Sequence, residues 1–403
     1  MTADSDFDVI VVGSGSTGLL AALGLSRLGL RTAVCGDYAP VVPETAKSRT
    51  AALLVPSVEL LQNMAVWGQL ADSATAIEAI RIIDDMARWP RAPEVLFTAC
   101  EVGLESLGWN IANADVVTGL WKAIDGEGSC HKISGALVDE VRLLNGSAAI
   151  VLDNGEQYTA RLIVGADGRN SICRRAMDLV VSRQILDQAA ITCVFDHSRP
   201  HGHISTEFHR RSGPFTTVPL AGNRSSLVWV ETLTEAKRLV ELEGSEAFVR
   251  GLEDRLQGLL GSVDHVAGLQ MFPLTSLSVQ KMAARRIVLV GEAGHVFPPI
   301  GAQGLNLGFR DVAALVRIAT EVKDEPDGLG SDAMLKAYDQ DRRFDVGSRS
   351  GSVNFMNNML LSPLWPTHLV RGAALHTINH LPAFKRHVMR LGMGATAPSP
   401  SKS

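Results

Sequence analysis

The sequence predicts a mixed α/β fold: an open, largely parallel sheet interleaved with helices, interrupted by a separate β-sheet and followed by C-terminal helices. Three observations predict it. An apolar run from Phe7 to Val12 ends in Gly13-Ser14-Gly15-Ser16-Thr17-Gly18 and leads into helically spaced leucines. Far downstream, the run from Arg286 to Val290 ends in Gly291-Glu292-Ala293-Gly294-His295 and again leads into a helical pattern. Between them, Ala190 to Val230 reads as short strands broken by Arg199-Pro200, Ser212-Gly213-Pro214 and Gly222-Asn223, the pattern of a sheet of its own.

Each element follows from its local pattern. The unbroken apolar character of Phe7 to Val12 is that of a parallel strand buried on both faces. Leu19, Leu20, Ala22, Leu23, Leu25 and Leu28 then keep helical spacing, Gly29 is placed to stop the helix, and Thr32 to Cys35 reads as the next strand, which completes a βαβ unit. Thr50 to Leu70 and Asn113 to Ala123 look helical, separated by a segment of less certain type that holds Ile80 to Ile83 and Val95 to Thr98. Asn154-Gly155 predicts a hairpin with a type I′ turn, whose second arm ends at Gly165-Ala166-Asp167-Gly168. Leu305, Phe309, Val312 and Val316 mark the buried face of a late helix. The expected division is a discontinuous first domain (1–75, 101–180 and 277–345), an inserted second domain (76–100 and 181–276) and a C-terminal helical region (346–403).

Composition narrows the function classes. With 46% hydrophobic and 20% charged residues in 403, a large core is available. A net charge of -5 offers no concentrated basic surface, so a nucleic-acid partner is not expected. The five cysteines are odd in number and form no C-x-x-C pair, which argues against a metal site or a disulfide framework. The acidic start and the lack of any long apolar run predict a cytoplasmic protein. Beyond Asp345 every charged residue is basic (Arg349, Arg371, Lys385, Arg386, Arg390, Lys402). Residues 360–393 mix these charges with Leu364, Trp365, Leu369, Leu375, Ile378, Leu381 and Phe384. Such a tail suits either peripheral contact with the inner face of a membrane or packing on the body, on a second copy or within a biosynthetic complex.

The glycine hexad has a direct physical reading. The first glycine makes a tight turn, the second lets backbone approach a pyrophosphate, and the third lets helix and strand pack closely. The free N–H groups at the start of the helix then face the phosphates. An acidic residue expected about 20 residues on would bind a ribose; Gly36 stands there instead, with Asp37 beside it.

Downstream, Leu162-Ile163-Val164-Gly165-Ala166-Asp167-Gly168-Arg169 resembles the Asp-Gly motif of the class A flavoprotein monooxygenases. Val290-Gly291-Glu292-Ala293-Gly294-His295, followed by Pro298-Pro299-Ile300-Gly301-Ala302-Gln303-Gly304-Leu305-Asn306-Leu307-Gly308, resembles their second FAD motif. Ser48-Arg49-Thr50-Ala51, Arg91-Ala92-Pro93-Glu94-Val95 and Gly108-Trp109-Asn110-Ile111 resemble, more narrowly, the UbiH/UbiF/UbiL-type hydroxylases of ubiquinone biosynthesis. The resemblance implies a Rossmann-like FAD-binding domain with an inserted β-sheet substrate domain and C-terminal helices.

It also implies that Gly13, Gly15, Ser16, Thr17 and Gly18 hold the dinucleotide and that Arg49 and Asp167 approach it. Gly291 and Glu292 would meet the ribityl chain, and the Gly301 to Gly304 loop, with Gln303 and Asn306, would lie beside the isoalloxazine ring. The family usually has Asp at Glu292. For Asp167 the residues leave open a second role as cap of the helix containing Ile172. With one hexad only, NAD(P)H would act as a transient reductant, and O₂ would supply the oxygen delivered to a prenylated aromatic ring. Other flavin chemistry, an oxidase or a prenyl reductase, and a non-catalytic scaffold remain alternatives. Phe215, Thr216, Val218 and Trp229 could line an aromatic pocket or simply be core. No base is visible: Tyr38, Tyr158 and Tyr338 lie outside the motifs, and His295 reads better as closing a turn than as titrating.

Overall fold

The computed structural model describes residues 5–37, 48–86, 94–126, 128, 130–299, 303–343, 345 and 381–393. Its first sheet is built around β1 (Phe7–Val12), flanked in parallel by β2 (Thr32–Cys35) and β11 (Gln157–Gly165). Outside these lie β8 (Cys130–Ile133), parallel to β2, and β18 (Ile287–Leu289), parallel to β11, with β17 (Ala283–Ala284) closing one edge. Both faces are covered, which is why β1 reads as a continuous apolar run. Val9 and Val11 enter one core with Leu20, Leu23, Leu120, Phe309 and Leu315; Ile10 and Val12 enter another with Ile150, Ile163 and Met177.

The first of these cores is roofed by α1 (Ser16–Ser26), α3 (Asn113–Asp125), α7 (Gln303–Val322) and α8 (332–343). The second is closed by α4 (Ile172–Ala176) and by β9 (Val138–Leu143) and β10 (Ala148–Leu152), which extend antiparallel from β11.

A second sheet runs β19 (His295–Val296), β16 (Val263–Val279), β12 (Val181–His197), β15 (Arg224–Thr232), β14 (Pro214–Leu220), β13 (Ile204–His209), β5 (Ala79–Asp84), β6 (Val95–Thr98). One face packs on α5 (Leu233–Glu241) and α6 (Glu246–Leu256). Between the two large sheets stands a small one of β3 (Thr50–Leu54), β7 (Gly108–Ala112) and β4 (Thr75–Ile77), with α2 (Val55–Asn63) following β3. The last described helix, α9 (Pro382–Met393), docks Met389 against Val95, Phe97, Ala99 and Leu107.

Three expectations change. Thr50 to Leu54 is strand, not the start of a long helix, because its backbone pairs antiparallel with Gly108–Ala112; helix begins only at Val55, with Pro56 in its first turn, where no N–H is missed. The Asn154-Gly155 turn is not type I′. Gly155 alone takes positive φ (+88°), and Leu152 and Glu156 bracket a three-residue loop of the type that ends in a left-handed glycine. The run taken to begin at Ala190 is the second half of a 17-residue strand from Val181 to His197. Residues 346–380, most of the expected C-terminal region, and Tyr38 lie outside the described residues.

Candidate cofactor and substrate site

β1 delivers the chain into the glycine turn. A Cβ on Gly13 (φ +118°) would stand 2.3 Å from the Ala166 carbonyl oxygen, and one on Gly18 would stand 2.0 Å from the Gly13 carbonyl oxygen. These two are therefore glycine because protein backbone crowds them. Gly15 differs: a Cβ there would meet nothing within 4 Å among the described residues. α1 starts at this point with no side-chain cap and no acidic residue in its first turn. Its N–H groups and the positive end of its dipole are left for an anion, with Ser16 buried and Thr17 half-buried in that first turn.

Gly36 has an equally local cause. A Cβ on it would approach the Ser14 hydroxyl to 2.6 Å, so the serine in the hexad excludes a side chain there, while Asp37 is exposed beside it.

Asp167 plays the capping role and keeps capacity in reserve. Its Oδ2 accepts from the Ile172 and Cys173 amides at 2.7 and 3.1 Å, and its Oδ1 is buried with no hydrogen-bond partner among the described residues. Burial, followed by the Asp167 charge, pushes the Cys173 thiol well up, so it stays neutral. Arg174, buried and missed by the sequence reading, donates to the Ala293 carbonyl at 2.7 Å and to the Arg169 carbonyl at 2.6 Å. It ties the Asp-Gly turn to the Gly291 turn.

That second turn closes on the first. Gly291 (φ +59°) and Gly308 of α7 both press on Thr17, with Cβ positions 3.2 and 2.8 Å from its hydroxyl. Glu292 is engaged by a bidentate pair with Arg169, 3.0 and 3.1 Å, both half-exposed. Its carboxylate is therefore not solvated alone. Beneath the turn, Asp311 is fully buried and accepts from the Gly291 amide (2.8 Å), His295 Nε2 (2.7 Å) and Arg342 Nε (2.8 Å). Burial disfavours the Arg342 cation, but Asp311, with Tyr338 and Asp345, outweighs this and raises its pKa. His295, stacked on Phe297, thus closes the turn through a carboxylate. The sequence did carry a signal: an Asp at the position between Leu307 and Leu315 on an apolar helical stripe needs a buried partner.

At the start of α7, Asn306 is committed to protein. Its Oδ1 accepts from the Leu54 amide (2.9 Å) and the Ser57 hydroxyl (2.6 Å), and its Nδ2 donates to the Ala52 carbonyl (2.8 Å). These three bonds make it a strut to β3. Gln303 opens α7, a Cβ on Gly304 would meet nothing within 4 Å among the described residues, and Gly301 lies outside them.

The strut continues across the small sheet. Asn110 on β7, paired with Ala52, donates to the Pro219 carbonyl (3.0 Å) and the Ser226 hydroxyl (3.1 Å), and Thr50 bonds Ser226 at 2.9 Å. Arg49, exposed just before β3, lies over the Phe272 ring at 4.7 Å. These contacts identify the face of the second sheet that looks toward the first domain. In register, Val218, Thr216, Val228 and Thr192 share that face with Ser226 and Phe272.

The expected aromatic quartet is parted. Phe215 and Trp229 sit on the opposite face, fully buried edge-to-face with each other among Phe208, Phe248 and Leu252. They are core under α5 and α6. Thr216 and Val218 alone of the four are on the cleft side. Tyr338 is likewise structural, donating to the Leu289 carbonyl from full burial.

An open glycine cradle, an uncapped helix start beside it, and a buried carboxylate oxygen left unpaired among the described residues all suit a bound dinucleotide. Comparison with known proteins names it. Residues 6–130 and 138–347 match the FAD binding domain family. Among curated relatives, the chain is 27% identical over 401 residues to ubiquinone hydroxylase UbiL of Rhodospirillum rubrum (99% of this chain, 92% of the relative). It is 26% identical over 397 residues to 3-demethoxyubiquinol 3-hydroxylase of Escherichia coli (96% and 98%). Of solved structures, p-nitrophenol 4-monooxygenase PnpA of Pseudomonas putida superposes with TM-score 0.75 at 18% identity, covering 97% of this chain and 99% of that one, and so shares the fold. With the family matched over most of its length and the cradle in place, the chain belongs to the FAD-binding-domain family.

Proposed function

We propose that this protein is a flavin-dependent monooxygenase that hydroxylates the ring of a polyprenyl phenol or benzoquinol precursor of ubiquinone, with NAD(P)H and O₂ as co-substrates. The observation that carries the reading is the alignment of the open Gly15 cradle, through the Asn306 and Asn110 struts, with one polar and apolar face of the second sheet. Relatives named as ubiquinone hydroxylases, aligned over nearly the whole chain, set the substrate class.

FAD, when bound, supplies electron storage and oxygen activation. The chain supplies position and charge. The first-turn amides of α1 receive the pyrophosphate, with Gly13, Gly15, Ser16, Thr17 and Gly18 shaping the turn. Asp167 offers Oδ1 to the cofactor or to a water on it. Arg49 places a cation at the mouth between the sheets, and Gly291, Glu292, Gln303 and Gly304 would line the ring end. The first domain comprises 1–75, 101–180 and 277–345, and the segments 76–100 and 181–276 hold the substrate. Thr216 and Val218, with the buried Thr192 hydroxyl that has no partner among the described residues, form its floor.

A prenylated substrate fits membrane contact at the C-terminal end. Among the described residues no helix is long and apolar enough to cross a membrane. α9 is packed on one side through Met389 and the Lys385–Glu101 pair (2.7 Å), while Leu381, Arg386, His387 and Arg390 are exposed. Apolar and basic groups on one exposed side suit an anionic surface. Deletion of the gene tests the functional reading: a ubiquinone precursor lacking one ring hydroxyl is expected to accumulate, and unchanged ubiquinone with no such precursor would refute it.

A further inference from the structure

On the cleft face of the second sheet, two titratable side chains are bound to each other and used by nothing above. Glu207 and His209 are two residues apart on β13, so both project to one face. Glu207 stands opposite Thr216 on β14, which assigns that face to the cleft, whereas Phe208 between them enters the α5 and α6 core. His209 Nε2 lies 2.5 Å from Glu207 Oε1, with side chains 8% and 13% exposed. The Nδ1 atom of His209 has no hydrogen-bond partner among the described residues. Among the described residues, neighbouring elements bring Asp84, opposite His209 on β5, the Arg210–Asp85 pair at the strand end, whose guanidinium turns to Phe208 and Phe215 on the far face, and the Lys385–Glu101 pair, whose Lys385 lies over Phe97 of β6 in the cluster that holds Ile80 and Ile82. β14 contributes no titratable group, placing Pro214 and Thr216 opposite the pair.

We propose that His209 is the proton acceptor for the phenolic hydroxyl of the substrate, with Glu207 as its positioning residue. This rests on the functional reading above. A carboxylate accepting from Nε2–H fixes the tautomer and leaves the Nδ1 lone pair to take a proton. In the step, the phenolic O–H bond breaks, its electron pair stays on oxygen, and the proton moves to Nδ1. The resulting imidazolium is balanced by Glu207, and the more electron-rich ring is the better acceptor of an electrophilic oxygen. General-base assistance of this kind contributes roughly 10²–10⁴-fold.

The test uses the FAD-loaded full chain with a short-chain 2-prenylphenol, measuring hydroxylation against pH alongside NAD(P)H-driven flavin reduction without phenol. Wild type is expected to lose rate on the acid side. His209→Gln is expected to fall by about 10²-fold or more, to recover only at alkaline pH where the phenol ionises unaided, and to reduce flavin normally. Glu207→Gln is expected to shift the acid limb while KM stays the same. A His209→Gln enzyme within threefold of wild type and with the same acid limb overturns the proposal. Should that variant not retain flavin, His209→Gly with added imidazole replaces it: restored rate upholds the assignment and no restoration overturns it. A wild type that makes no hydroxylated product overturns the functional reading and this proposal together, whereas product formation with unchanged variants overturns this proposal alone.

Discussion

Asp311→Ala is expected to destabilise the protein by about 3–5 kcal/mol and to abolish flavin retention. Asp311 is fully buried and satisfies three donors at once, the Gly291 amide, His295 Nε2 and Arg342 Nε. Its removal leaves the Arg342 guanidinium, itself only 3% exposed, without the fully buried one of its counter-charges, while Asp345 still holds the other end at 2.7 Å. A buried cation that loses a counter-charge costs more than the loss of a neutral hydrogen bond. The same change frees the Gly291 turn, which is held to α7 through that amide and carries the second glycine contact with Thr17. Asp311→Asn keeps an acceptor for one donor but cannot balance Arg342, so it is expected to fall between alanine and wild type. Chemical denaturation and flavin absorbance on the purified proteins check both effects.

Gly15→Val and Gly13→Ala are expected to lose FAD for different reasons. At Gly13 a Cβ collides with the Ala166 backbone and the residue holds φ +118°, so alanine displaces the turn and lowers stability as well as binding. At Gly15 the backbone is ordinary extended chain (φ -73°, ψ 170°) and a Cβ meets no atom of the described residues within 4 Å. Valine there should leave stability within about 0.5 kcal/mol of wild type. It should still weaken FAD by tenfold or more, since blocking one charge-assisted backbone contact removes about 1.5–3 kcal/mol. Titration of apo-protein with FAD, beside a thermal melt, separates the two. Full FAD affinity in Gly15→Val would place the pyrophosphate elsewhere.

Much of this was legible where local pattern dictates structure. The β1 turn and α1, the late strand into α7, and the glycine positions follow from spacing and from what a Cβ would strike. Thr50 to Leu54 misled because a short apolar run next to a helix has no period of its own; its partner strand lies more than 50 residues away. Alternation along β14 and β15 marks two faces but not which one looks at the cofactor domain. Both are covered, one by α5 and α6 and the other by the small sheet, so Phe215 and Trp229 could not be told from Thr216 and Val218. Asn306 lies in a motif read as a cofactor contact, and its amide also binds Ala52, Leu54 and Ser57, partners 249 to 254 residues away that no local pattern displays. Arg174 and Arg342 act across 119 and 31 residues, beyond what any window of sequence displays.

Glu292 illustrates the remaining distance between motif and mechanism. Its pair with Arg169 joins the two turns that flank the cradle, but both partners are half-exposed, and such a pair contributes only about 0–1 kcal/mol. The buried Arg174 and Asp311 bonds carry the geometry; Glu292 trims it.

This chain is expected to use flavin to place an oxygen atom on an aromatic ring. The direct measurement is mass spectrometry of product formed by the purified, FAD-loaded protein from a prenylated phenol, NAD(P)H and ¹⁸O₂. One ¹⁸O in the new ring hydroxyl is the result predicted. Flavin that is reduced and reoxidised with no label in the ring, or a label that arrives from water, would contradict it.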